Sequence, residues 1–177
     1  MECIYNDGGR LAAGFKGVAG DCVTRSISIV TGLPYAEVYA HVAKQTGAQR
    51  SGKRGKRAAS ARYGVNTDRK WFKNYMASLG FRWTPTMGIG TGCKVHLRAD
   101  ELPLGRLVVA VSRHYTAVID GVIHDVFNPS ERDTTFYPKN TPPELLPKGA
   151  YLLSNGNGWA YLPQRCVYGY WTLEVSA

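Results

Sequence analysis

The 177-residue chain contains no run of about 18 apolar residues, which excludes a membrane-crossing helix. It contains no C-x-x-C pair and no cysteine and histidine spacing of the kind that builds a structural zinc site. Its four cysteines, Cys3, Cys22, Cys93 and Cys166, are therefore expected to be free thiols, with no disulfide framework. Acidic residues are few. Asp and Glu number 13 against 22 Lys and Arg, and the net charge of +9 attracts polyanions such as nucleic acid or acidic protein surfaces. The opening MECIYNDGGRLAAGFKG does not suit an export signal, since acids and glycines stand where a basic start and an unbroken apolar stretch are needed. A soluble, intracellular protein is expected. Internal repeats are absent too, and the 44% hydrophobic and 20% charged fractions exclude wholesale disorder and a fibrous class. The length suits one domain over residues 1–177, built around one core.

Helical signals come first. Asp21 reads as an N-cap for CVTRSISIVTG, in which Val23, Ile27 and Val30 recur at helical spacing before a stop at Thr31-Gly32. A second helix begins at Pro34, with Tyr35, Val38, Tyr39 and Val42 on one face and Gly47 as its stop; the two helices form a hairpin. A third runs through TDRKWFKNYMASLG, capped by Thr67 and ended by Gly80. Its face of Trp71, Phe72, Tyr75, Met76 and Leu79 is core material. Between the second and third lies RSGKRGKRAASAR, residues 50–62, with six basic residues and no acidic one, which reads as a mobile basic loop. Any nucleic-acid contact by Arg50, Lys53, Arg54, Lys56 and Arg57 would be to phosphates, because no aromatic residue is interleaved for base stacking.

Strand signals follow Gly80: FRWTP, CKVHL, RLVVAVS, YTAVID, VIHDVF and CVYGYWTLEV. The expected class is α+β, with N-terminal helices packed on an antiparallel sheet. The Pro-, Gly- and Asn-rich stretch at about 130–165 reads as an excursion over the surface.

Two features could carry chemistry. Cys22 falls in the first turn of the first helix, where the aligned peptide dipoles favour negative charge. The second is RHYTAVIDGVIHDVF, whose Asp120-Gly121 is the dipeptide preferred in a two-residue type I′ hairpin turn. Pairing Ile119 with Val122 sets Val118 against Ile123, Ala117 against His124 and Thr116 against Asp125. Period-two alternation then puts His114 and Asp125 on one face and His124 on the other. A carboxylate beside an imidazole fixes its tautomer and keeps it basic, which is the orienting role in a nucleophile, base and acid triad.

With GDC at the head of an early helix, HYTAVIDG on a later strand and HDVFNP on the next, the chain resembles the papain-like cysteine peptidase superfamily in its wide sense, bacterial branches included. The stretches GDCVTR, LGFRWTPTMG, CKVHLRADELP and HYTAVIDGVIHD also resemble small proteins of tailed bacteriophages and prophages. The first resemblance implies a papain-like fold and a peptidase or amidase that acts through an acyl-enzyme, with Cys22 as nucleophile, His114 as general base and Asp125 as orienting residue. No metal or organic cofactor is implied, and the substrate would be a protein or peptide. The oxyanion donor is left open. Lys16 stands six positions before the cysteine, where such enzymes commonly carry glutamine, and the alternatives are a backbone N–H at Cys22 or no donor. Asn128 and Cys93 are weaker candidates for the third member and the nucleophile; His41 and His96 read as surface or core imidazoles. The phage resemblance implies the cytoplasm of a bacterial host, or the virion. A rival reading is a non-catalytic virion component that uses the same scaffold and its basic surface to bind protein or nucleic acid.

Overall fold

The computed structural model describes residues 1–47, 60–130, 135–147, 150–161 and 164–174. Helix α1 spans Cys22–Thr31 and stops at Gly32, whose left-handed backbone (φ 78°) turns its N–H onto the Ser28 carbonyl. Helix α2 spans Tyr35–Gly47, and α3 spans Lys70–Ser78. Arg69, not Thr67, holds the N-cap position of α3, because the Thr67 hydroxyl instead accepts a hydrogen bond from Tyr115 at 3.0 Å. The basic positions Arg50, Lys53, Arg54, Lys56 and Arg57 lie outside the described residues.

Six strands form the main sheet: β1 (Cys3–Tyr5), β2 (Phe81–Pro85), β3 (Arg106–Val111), β4 (His114–Ile119), β5 (Val122–Asp125) and, far along the chain, a strand at Val167–Leu173. Three more, β6 (Thr135–Pro138), β7 (Tyr151–Leu152) and β8 (Gly158–Tyr161), make a separate antiparallel sheet in the order β6-β8-β7, which makes the strand at 167–173 β9. The stretch expected to run as a surface excursion thus builds its own small sheet. The main sheet runs β1-β5-β4-β3-β9-β2. It is mixed rather than wholly antiparallel, since β1 pairs in parallel with β5, placing Cys3 beside Ile123 and Tyr5 beside Asp125. The class is α+β.

The segment CKVHL does not become a strand. It makes one bridge, His96 with Cys166, flanked by hydrogen bonds from Leu97 to Arg165 and from Val167 to Val95. That alignment brings Cys93 and Cys166 into a disulfide, which overturns the expectation of four free thiols and removes Cys93 as a nucleophile. Cys3 and Cys22 remain as thiols.

Both faces of the sheet are covered, so β3 reads as an unbroken buried run from Leu107 to Val111. Val108, Ala117 and Trp171 pack against Val23, Ile27 and Val30 of α1, Val38 and Val42 of α2, and Phe72 and Met76 of α3. On the other face Leu107, Val109, Val118, Ile123 and Val167 meet Leu97 and Leu102. Full burial of one such side chain contributes about 1.5–3 kcal/mol. A helix cap contributes about 1 kcal/mol. Burial of Ile27 and Val30 therefore decides where α1 lies, and a hydrogen bond from the Ser26 hydroxyl to the Tyr115 carbonyl (3.1 Å) fixes its position against β4.

Candidate active site

Asp120 (φ 48°) and Gly121 (φ 81°) both take positive φ, as a type I′ turn requires. The strands on either side pair as their spacing predicts: Ile119 with Val122, Val118 with Ile123, Ala117 with His124. His114 and Asp125 thereby share a face, and His114 Nε2 lies 2.7 Å from Asp125 Oδ2 with both side chains buried. The other carboxylate oxygen accepts the Val126 N–H at 2.7 Å, so neither oxygen of Asp125 is idle. His124 takes the opposite face.

Cys22 is the first residue of α1, and it lines the same cleft as His114, a cavity of about 680 Å³. Burial pulls the His114 pKa down, but hydrogen bonds to Asp125 and to the Cys22 side chain outweigh it and hold the value at about 9. With Nε2 engaged by Asp125, Nδ1 is the ring nitrogen left for the thiol. The Phe127 ring lies 4.9 Å from the imidazole, tilted against it by 43°. An imidazole that keeps its proton at neutral pH is a ready donor to a leaving group, and the carboxylate behind it holds the ring in one orientation.

The remaining candidates lie elsewhere. Lys16 is exposed and does not line the cleft; its carbonyl accepts a hydrogen bond from Arg10 at 3.2 Å. Donors closer to Cys22 are the backbone N–H groups of the first turn of α1, which have no partner within the helix. Asn128 is occupied by Ser130, accepting from its N–H (3.0 Å) and its hydroxyl (2.7 Å). His41 stacks on Tyr75, and His96 pairs with Glu101.

Asp21 was expected to cap α1, yet its side chain makes no cap hydrogen bond. It is buried, 2% exposed, and turned into a charge cluster. Arg10 Nε donates to it at 2.8 Å, Arg25 Nε lies 3.1 Å away without hydrogen-bonding geometry, and the Tyr35 hydroxyl donates to it. Burial and the hydrogen bond to Asp21 raise the Tyr35 pKa, so the phenol stays a neutral donor. The cluster clamps the residue immediately before Cys22. The spacing of Asp21 and Arg25, four apart, was the available signal, and Arg10 carried none.

The cleft lining includes the aromatic residues Trp83, Tyr115, Phe127 and Tyr168. Trp83 lies so close over Gly169 that a Cβ there would stand 2.3 Å from its ring, and Trp83 also packs on Trp171 at 5.1 Å. Among the described residues no group of His, Cys, Asp or Glu could hold a metal ion, and no helix is long and apolar enough to cross a membrane. Comparison with known protein families, with curated proteins and with solved structures finds no match.

Proposed function

We propose that this chain is a papain-like cysteine hydrolase, a peptidase or amidase acting through an acyl-enzyme. The observation that supports the reading is that Cys22 and His114 line one cleft, with Asp125 hydrogen-bonded to the imidazole from behind at 2.7 Å. Cys22 sulfur attacks the substrate carbonyl carbon and the C=O pair moves to oxygen. As the tetrahedral adduct collapses, the bond to the leaving nitrogen breaks and His114 gives that nitrogen its proton. Water then attacks the thioester, His114 takes the water proton, and the sulfur departs with the carboxylic acid released. Asp125 holds the ring throughout without being protonated itself.

p-Nitrophenyl acetate tests this directly. The expected result is a burst of nitrophenolate of about one equivalent per chain, followed by slow turnover, as acyl-enzyme formation outruns hydrolysis. The burst should vanish in Cys22→Ser and in His114→Ala and survive in Cys3→Ser. Equal release by wild type and Cys22→Ser would overturn the assignment.

A further inference from the structure

The cleft carries a charge bias that the hydrolytic step does not use. Arg113 is the second residue of the Ser112-Arg113 turn joining β3 to β4, directly before His114, and its side chain is exposed at the cleft. Its backbone has φ 57°, a left-handed conformation that a residue other than glycine adopts at a cost and that clusters at functional sites. No ion pair among the described residues involves Arg113. Arg25 lines the cleft as well, three residues after Cys22 on α1. Its charge is only partly offset, because Asp21 faces both Arg25 and Arg10 and leaves one positive charge in excess. Among the described residues the lining carries one acidic side chain, Asp68, against Arg25 and Arg113, and Asp68 also borders an adjoining cavity with Lys73 and Trp83.

We infer that the cleft selects an anionic substrate, one with a carboxylate close to the scissile carbonyl, and that Arg113 is the residue that binds it. This rests on the hydrolase reading above. A guanidinium presents paired N–H groups that match the two oxygens of a carboxylate, and it keeps its charge at any pH the protein meets. The first turn of α1 adds partial positive charge on the cysteine side. The aromatic wall at Trp83 and Tyr168 would face the apolar body of the same substrate.

Two alkylating reagents of similar size, iodoacetate and iodoacetamide, separate charge recognition from thiol reactivity. In each case the Cys22 sulfur displaces iodide, and only one reagent carries a carboxylate. Rates at Cys22 and at Cys3, read by peptide mass spectrometry, give an iodoacetate to iodoacetamide ratio for each thiol. The ratio is expected to be higher at Cys22 than at Cys3. It should fall roughly three- to tenfold at Cys22 in Arg113→Gln, the scale of one charge at close range, and largely recover in Arg113→Lys. Sodium chloride at high concentration should shrink the wild-type ratio. A Cys22 ratio unchanged between wild type and Arg113→Gln would overturn the inference while leaving the ester burst, and with it the hydrolase reading, untouched. Loss of the burst with the ratio intact would do the reverse.

Discussion

At the scale of single residues, Asp125 and Asp120 make an instructive pair, since both belong to the same hairpin, one buried at the end of β5 and the other exposed in the turn. Asp125 accepts from His114, whereas Asp120 occupies a positive-φ turn position and accepts the Gly105 N–H at 2.9 Å, a role its amide analogue can also fill. Asp125→Asn is therefore expected to slow acylation, by up to about 10⁴ if the wrong tautomer results. Asp120→Asn should leave the rate within about twofold of wild type, and burst kinetics of the two variants measure the difference. His114 adds a pH signature. Its folded pKa of about 9 lies above the 6.5 of a free imidazole, so the folded state holds the proton more tightly. The stability it contributes is complete below about pH 6.5 and is lost as pH rises through about 9, a change on the order of 3 kcal/mol. Urea denaturation at pH 6 and pH 9.5 should show that loss in wild type and a much smaller one in His114→Gln.

At the scale of elements, the head of α1 depends on a buried charge rather than on a cap. Asp21→Asn keeps the shape of the side chain and leaves Arg10 and Arg25 without a counter-charge. A loss of about 3–5 kcal/mol is expected, well beyond the roughly 1 kcal/mol of an ordinary cap. Thermal unfolding of Asp21→Asn beside Tyr35→Phe, which removes one donor but no charge, distinguishes the two accounts. The same elements show what a sequence can and cannot reveal. The β4-β5 register was legible because Asp-Gly fixes a turn locally and alternation carries its consequence outward to His114 and Asp125. The helices were legible from their apolar spacing and glycine stops. β1 was not, since a three-residue strand has no period to detect and its partner lies far along the chain. The role of Asp21 was hidden because local propensity reads a cap wherever an acid precedes a helix, and the competing partner, Arg10, becomes a neighbour only in the fold.

At the scale of the whole molecule, the disulfide between Cys93 and Cys166 closes a loop over 73 positions and ties the segment before β3 to the start of β9. Nothing in the spacing of the four cysteines suggested this pair, because their proximity comes from backbone pairing of His96 with Cys166. Reduction, or Cys93→Ser together with Cys166→Ser, is expected to lower stability by about 2–4 kcal/mol through the freed unfolded chain. Neither cysteine lines the cleft, so the ester burst should persist where the protein stays folded. Urea titrations with and without reductant measure the first effect, and burst amplitudes the second.

The parallel pairing of β1 with β5 joins positions far apart along the chain. Cys3 must meet Ile123, a partner 120 positions away (from 3 to 123), before the strand carrying Asp125 is held from both sides. Contacts of such long range are slow to form, because the entropy of closing the intervening chain is lost before the pairing returns anything. Cys22 sits on a helix whose apolar spacing is local. The β4-β5 hairpin likewise sets His114 beside Asp125 through local turn chemistry, so a chain caught before β1 docks is expected to hold that pair already, with the outer edge of β5 still open.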